Sequence, residues 1–246
     1  MKERKRDMKR KLDWKPKFDP RSKNYGVSAI LPKTVENKRV VWKEGPVLDQ
    51  GSEGACVGFG WMNELLAEPI VPSKQPKDSF ANTLAVKYYR RAQEIDEWAG
   101  EGYDGTSVLA GAKIMRQEGF IDGYRWCFSA QDLRDAIISE GPVVIGVPWY
   151  SGMYSAQGGI VNITGSKVGG HCLVVTGYTP KMVINGRKTA AFKWFNSWGP
   201  GYGKNGSAWI SVKDMNSLIK QGAEMCVPIG RNVPKFNSGL FSLFIR

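Results

Sequence analysis

Residues 196–206 read Asn-Ser-Trp-Gly-Pro-Gly-Tyr-Gly-Lys-Asn-Gly, and they separate two segments that are rich in aromatic and β-branched residues, 189–196 and 207–212. Closely spaced Gly, Pro and Asn residues favour a tight turn. Gly201, Gly203 and Gly206 match the spacing of a dinucleotide-binding loop, but that loop must open a helix, and this one leads into a strand segment. The stretch therefore predicts a turn between two strands and no nucleotide site.

The segments around this turn define the fold class. Upstream of residue 141 the sequence predicts four helices, at about 55–68, 79–95, 106–118 and 129–140, from apolar spacing and capping residues. Downstream it predicts strands at 142–149, 171–178, 189–196 and 207–212. Because no helix alternates with each strand, the pattern predicts an α+β protein with a helical lobe at about 50–140 and a β-rich lobe at about 141–230.

Charge is concentrated at the ends of the 246-residue chain, whose formal net charge is +12. Residues 1–23 hold eleven Lys or Arg against four Asp or Glu, and residues 231–246 hold three more basic residues and no acid. We therefore expect a flexible basic tail over 1–23, a domain over 24–230 and a C-terminal extension over 231–246. An alternative is that this basic tail contacts nucleic acid or an acidic partner.

The amino-acid composition indicates which cellular compartment and which cofactors to expect. The four Cys residues form no CxxC pair and the chain has one His, so we expect reduced thiols, no metal site and no cofactor. No apolar run is long enough to cross a bilayer or to act as a secretory signal, so we expect a cytoplasmic protein that does not bind membranes. Oligomeric state cannot be inferred from the sequence.

Four residues together indicate nucleophilic catalysis: Gln50, Cys56, His171 and Asn196. Cys56 is expected at the start of the first helix, where an imidazolium partner and the helix N-terminus lower a thiol pKa. His171 opens a strand segment and could pair with Cys56, and Asn196 could bond the second ring nitrogen and fix the tautomer. The amide of Gln50 could donate to a developing oxyanion beside the Cys56 backbone N–H. Each residue alone has an ordinary structural interpretation.

The sequence resembles the papain family of cysteine peptidases in three places. Residues 49–56, Asp-Gln-Gly-Ser-Glu-Gly-Ala-Cys, are similar to the segment of that family that carries the nucleophile. Residues 170–178 are similar to its histidine strand, and 196–206 are similar to its Asn-Ser-Trp-Gly block. The order Cys, His, Asn is also that of the family. The resemblance covers about residues 42–212 and implies a two-lobed fold with an active-site cleft between the lobes.

The resemblance implies a role for each matched residue. Cys56 would be the nucleophile, His171 the base and then acid, Asn196 the orienting residue and Gln50 the oxyanion donor. The remaining residues would bind or enclose a polypeptide substrate: Tyr103 and Gly105 beside its backbone, Gly170 before His171, Cys172 and Gly146 at the pocket for the second side chain before the scissile bond, and Trp198 over the His171–Asn196 bond.

The sequence departs from the papain family at two positions, and the lack of a disulfide Cys bears on the cellular compartment. Glu53 stands where the family has a disulfide Cys, and Val57 replaces an aromatic residue. The lack of family disulfides fits a reducing compartment, and the basic start is similar to peptidases of tailed bacteriophages. Residues 1–41 are too short for the family's long inhibitory pro-segment. A short N-terminal tail that covers the active site of its own chain remains an alternative. The alternatives are a catalytically silent peptide-binding or phage structural protein, and nucleic-acid binding through the basic tail.

Overall fold

The computed structural model describes residues 10–17, 19–98 and 103–236. The first part of the expected basic tail, residues 1–9, and the end of the expected extension, residues 237–246, lie outside the described residues. Within the described ranges, no helix is both long and apolar enough to cross a membrane.

In the described ranges five α-helices form, four of them where the sequence predicts them. Ser107 and Ser129 are N-caps of two of these helices, and their hydroxyls accept the N–H groups of Ala110 and Asp132. The fifth helix was not predicted. The helices are α1 Cys56–Leu65, α2 Asp78–Ile95, α3 Val108–Gln117, α4 Ala130–Ser139 and α5 Val212–Lys220.

Among the residues that the structure describes, eight strands form one mixed sheet. They are β1 Val40–Val41, β2 Ile121–Trp126, β3 Val143–Tyr150, β4 Ile160–Val161, β5 Lys167–Ile184, β6 Arg187–Phe195, β7 Ser207–Ser211 and β8 Glu224–Arg231. The strand order is β2-β8-β3-β5-β6-β7-β4, with β1 on β5. All pairs are antiparallel except β4 with β7. The turn at 196–206 joins β6 to β7, as predicted.

The buried side chains form two clusters, one on each face of the sheet, and α4 packs in the second one together with β-rich segments. The first is built mainly from α1, α2 and α3, with Trp61, Phe59 and Met62 at its centre. The second lies on the opposite face of the sheet under α4 and α5, and it contains Trp149 and Trp194. Burial of these apolar side chains is the main stabilising term for each lobe. The α+β, two-lobed fold class is confirmed.

The N-terminal residues differ from the expected solvated tail. Residues 10–17, which we call the strap, pack against the body, and Trp14 is buried with 5% of its surface exposed. Bridges pair Asp13 with Gly170 and Trp14 with Thr106. The chain then forms a short 3-10 helix at Pro20–Tyr25, capped by the Asp19 carboxylate. The described part of the tail is therefore packed against the body.

The body of the domain also continues past residue 230. Arg231 ends β8, and its guanidinium donates to the buried Glu64 carboxylate at 2.7 Å. It also donates to the carbonyls of Glu140 and Pro142. These bonds compensate a carboxylate that would be costly to bury alone, so Arg231 belongs to the folded lobe and not to an extension.

Candidate active site

His171 and Asn196 form a buried hydrogen-bonded pair. His171 lies on β5 and Asn196 directly follows β6, the neighbouring strand, and His171 Nε2 lies 2.7 Å from Asn196 Oδ1. The same oxygen accepts the Ser197 backbone N–H at 2.8 Å, which fixes the orientation of the amide. Because Oδ1 can only accept, Nε2 must carry the proton. The neutral ring therefore has its lone pair on Nδ1.

Indole rings enclose the imidazole. The Trp198 ring centroid lies 4.7 Å from that of His171, and the Trp149 centroid lies 4.8 Å from it. Burial lowers the pKa of His171 to about 4, the Asn196 hydrogen bond opposes this, and the charge of Arg10 adds to it. Trp198 and Trp149 thus pack against the imidazole, and the ring is neutral at physiological pH in this conformation.

Cys56 is the first residue of α1 and is completely buried. Ala55 precedes it and supplies no capping side chain, so the N–H groups of the first turn lack a side-chain acceptor. Burial raises the pKa of the Cys56 thiol to about 12. Backbone groups of Cys172 and Asp13 oppose this effect, and the Asp13 carboxyl reinforces it. The thiol is therefore protonated in this conformation.

The loop that carries Gln50 is tied to the loop that carries Asn196. The Gln50 backbone N–H donates to the Ser197 carbonyl at 2.9 Å. The Asn63 side chain, on α1, donates to the Ser197 hydroxyl at 3.0 Å. The two bonds connect the loop of Gln50, and the helix that begins at Cys56, to the residue that follows Asn196. Both bonds are buried, so we expect them to fix the relative positions of these elements.

The strap contacts Gln50, Cys56 and neighbours of the other two predicted catalytic residues. Arg10 donates to the Trp198 carbonyl and pairs with Asp49. The Gln50 side chain donates to the carbonyls of Glu53 at 2.9 Å and Lys11 at 3.5 Å.

Further along the strap, Asp13 lies against Cys56. The backbone N–H of Trp14 donates to the carbonyl of Gly170, the residue before His171. An extended chain spans at most about 3.6 Å per residue, so the four strap residues from Arg10 to Asp13 are confined to about 11 Å. Gln50, Cys56 and residues next to His171 and Asn196 in the sequence therefore contact one short segment of the strap.

Cys56 and His171 form no hydrogen bond with each other in this conformation. Within the described part of the chain, the buried His171 Nδ1 atom has no hydrogen-bond partner. A buried lone pair without a partner is unfavourable, and it marks the position from which a proton could be accepted. The strap contacts Cys56 and Gly170, which precedes His171, so in this conformation, which we call covered, the site has the strap in place.

The predicted substrate-binding residues lie against the strap. Added Cβ atoms on Gly105, Gly146 and Gly170 would lie 2.0, 2.2 and 2.6 Å from atoms of Asp13 or Trp14, so only glycine leaves room for the strap. The Tyr103 ring lies under Lys15, whose ammonium is 4.1 Å from the ring centroid. Cys172 is buried beside Cys56. The residues predicted to line a substrate cleft therefore hold a segment of this chain.

Two residues of the site were not predicted. The first is Trp14, whose sequence signal is a single aromatic residue among charges. The second is Glu224, a buried carboxylate that accepts the Trp14 indole N–H at 3.0 Å. No pattern marks Glu224, because it lies in a strand that the sequence analysis did not identify. Across residues 10–17, 19–98 and 103–236, no group of three His, Cys, Asp or Glu side chains could hold a metal ion.

The family model described as papain family cysteine protease matches residues 81–227, well over half of the chain. The chain belongs to the papain family of cysteine proteases. The match includes His171, Asn196 and Trp198, whereas Gln50 and Cys56 precede it. A comparison with curated proteins finds no match.

Solved structures of papain-family proteases are similar in fold. Xylellain, a cysteine protease from Xylella fastidiosa, is similar with a TM-score of 0.60 and 16% identity over 91% of this chain and 98% of that one. Procathepsin L 3 of the Tenebrio molitor larval midgut has a TM-score of 0.57 and 17% identity over 81% and 72% of the two chains. Bromelain from Ananas comosus has a TM-score of 0.54 and 14% identity over 80% and 100%. The resemblance to phage peptidases stays a prediction.

Proposed function

We propose that this papain-family cysteine peptidase is an endopeptidase that works through Cys56, His171, Asn196 and Gln50. His171 Nδ1 takes the Cys56 proton, and the thiolate attacks the carbonyl carbon of a peptide bond. Gln50 and the Cys56 N–H stabilise the oxyanion. The C–N bond breaks as His171 returns the proton to the leaving amine, which leaves a thioester at Cys56. Water, deprotonated by His171, hydrolyses that thioester.

The observation that carries this proposal is the orientation of the His171 ring. Its protonated nitrogen is held by an amide oxygen whose identity the Ser197 N–H fixes, and its lone pair is buried and free under the strap. A histidine that served only as a core residue would be expected to use both nitrogens. Family membership supports the same reaction class.

The covered conformation is a resting form in this proposal. The raised pKa of Cys56 and the lowered pKa of His171 both have burial as their largest cause, so both groups are neutral while the strap is in place. Displacement of the strap admits water and substrate to the same section of the cleft. We expect this to weaken the desolvation of both groups and to favour the thiolate–imidazolium pair.

Alkylation of the thiol tests the proposal directly. We would treat the full chain carrying Trp14→Ala, which loosens the strap, with iodoacetamide, and then measure hydrolysis of an unfolded protein. Mass spectrometry would assign the label. The proposal expects activity to fall in step with labelling of Cys56. Undiminished hydrolysis by protein fully labelled at Cys56 would refute it.

Replacement of Asn196 by alanine should lower kcat while it leaves KM nearly unchanged. The variant loses the acceptor that holds His171 Nε2–H, so the ring can rotate or change tautomer. We expect a loss of about tenfold to a hundredfold, the range found when a group that orients a metal-bound histidine is removed. Steady-state hydrolysis in the Trp14→Ala chain measures this, with Asn162→Ala, an amide outside the cleft, as the matched control. Equal kcat values for the two variants would contradict the role of Asn196.

The alternatives are less well supported. A silent peptide-binding protein has no need of a histidine held in one tautomer. Nucleic-acid binding draws on the basic tail, but Arg10 and Lys11 pair with Asp49 and Asp104 of the chain itself. All four Cys residues are free thiols, which supports action in a reducing compartment such as cytoplasm.

A further inference from the structure

A groove of about 690 Å³ lies between the short 3-10 helix Pro20–Tyr25 and the body of the protein. That helix forms one wall, and residues of α3 and of β2, the strand at one edge of the sheet, form the other. The groove shares no lining residue with the candidate active site. Two acids line it, Asp19 and Asp122, together with four cationic residues: Arg21, Lys113, Arg116 and Arg125. We call it the basic groove.

The two acids of the basic groove already have donors. The Asp19 carboxylate accepts the Nε–H and Nη2–H groups of Arg21, at 3.0 and 2.6 Å. The Asp122 carboxylate accepts the side-chain N–H of Asn232 at 3.1 Å. Arg21 therefore neutralises Asp19, and the other cations of the groove determine its charge toward a ligand.

Arg116 and Arg125 are not neutralised in this way. Within residues 10–17, 19–98 and 103–236, neither guanidinium forms an ion pair with a carboxylate. The Lys113 ammonium lies 3.5 Å from the Glu97 carboxylate, and such a partly exposed pair contributes little. These residues differ from the basic residues of the strap, which pair with acids of the chain. The groove thus keeps positive charge, which favours an anionic ligand.

Exposed aromatic rings lie beside these cations. Tyr25 is 51% exposed, and the guanidinium carbon of Arg125 lies 5.4 Å from the centroid of its ring. Phe128, which is 43% exposed, continues this surface, since its ring would lie 3.5 Å from an added Cβ on Gly26. Rings that are open to solvent beside guanidinium groups are typical of sites for single-stranded nucleic acid, where bases stack on the rings and cations contact the phosphates.

We propose that the basic groove binds single-stranded nucleic acid. A base stacks on Tyr25 or Phe128, and Arg116 and Arg125 contact the flanking phosphates. A duplex keeps its bases paired and stacked on one another, so it offers this site only its phosphates and binds more weakly. The function does not depend on the proposed peptidase activity, because the groove and the candidate active site share no residue.

Comparison of three ligands tests the contribution of the bases. Fluorescence anisotropy would measure binding of the full natural chain to a short oligothymidylate, to an abasic deoxyribose-phosphate oligomer of the same length, and to a duplex of that length. We expect the oligothymidylate to bind at least about fivefold more tightly than the abasic oligomer, because stacking on an aromatic side chain adds affinity for each base. Tyr25→Ala should reduce this ratio, whereas Tyr25→Phe, which keeps the ring, should preserve it.

Removal of the two arginines tests the contribution of the phosphates. The variant with Arg116→Gln and Arg125→Gln should bind the oligothymidylate at least about tenfold more weakly at low salt. The slope of log affinity against log salt should also fall by about two, one for each lost phosphate contact. The matched control carries Arg39→Gln and Arg187→Gln, which remove the same charge at exposed positions outside the groove. The control should keep nearly the natural slope.

Two results would overturn the proposal. Equal affinities of the two double variants would place binding elsewhere, for example at the Lys and Arg residues among positions 1–9. Equal affinity of the natural chain for the oligothymidylate and the abasic oligomer would indicate a general site for polyanions, such as an acidic protein. This second comparison needs no variant to fold. A preference for bases that is lost with Tyr25→Ala, together with a loss specific to the groove arginines, would support the proposal.

Discussion

Replacing Cys56 by alanine in the Trp14→Ala chain is expected to reduce peptide hydrolysis by at least about a thousandfold. The alanine chain cannot form the thioester, and residual catalysis would come only from binding and from the oxyanion donors. Gln50 and the backbone N–H of residue 56 remain in this variant, so substrate affinity should persist. Fluorogenic peptide hydrolysis measures the loss, and calorimetry checks that the peptide still binds.

Cys127→Ala is the matched control for this prediction. Cys127 is also a buried free thiol, but it packs in the cluster under α4 and α5, away from the cleft. The Cys127→Ala substitution should leave kcat within about twofold of that of the parent chain. Comparable activity of the Cys56→Ala chain and its parent would contradict the assignment of Cys56 as nucleophile.

Replacing Trp14 by alanine in the otherwise natural chain is expected to raise kcat/KM at least about tenfold. Truncation of a buried Trp typically costs about 3–5 kcal/mol, and each 1.4 kcal/mol is a factor of ten in an equilibrium. This loss of stabilising free energy affects only the covered conformation, because Trp14 is no longer buried once the strap opens. The equilibrium therefore shifts toward an open cleft, and initial-rate measurements on a fluorogenic peptide report the shift.

Tyr25→Ala provides the control for the strap. Tyr25 is an aromatic residue of the same N-terminal region, but it is 51% exposed and follows the strap in the 3-10 helix. It should leave kcat/KM close to that of the natural chain. If Trp14→Ala leaves the rate unchanged while the chain stays folded, then the strap does not limit access to the cleft.

Local sequence patterns predicted most of the helical lobe but only part of the sheet. Capping serines and apolar spacing act over a few residues, so α3 and α4 were predictable. β8 was not, because Pro228 and Gly230 interrupt its apolar run, and Pro is unusual inside a strand. β2 also lacks a continuous apolar run, since only its two end residues are fully buried. Both strands depend on pairing with each other.

Local motifs mark the proposed catalytic residues, whereas no local motif marks the strap. Cys56, His171 and Asn196 are residue types that can act together in nucleophilic catalysis, and their local motifs resemble those of the papain family. Lys and Arg among few apolar residues are typical of a solvated tail. The partners that hold the strap, Asp49 and Glu224, are distant in sequence, so no local pattern predicted these contacts.

The pH dependence of Cys56 alkylation tests the central claim most directly, namely that His171 activates the thiol once the strap is displaced. In the natural chain the thiol pKa of about 12 predicts slow labelling below alkaline pH. In the Trp14→Ala chain we expect rapid labelling of Cys56 near pH 6, and adding His171→Ala should abolish it. Identical profiles with and without His171, each rising near the ordinary thiol pKa of about 8.5, would contradict the claim.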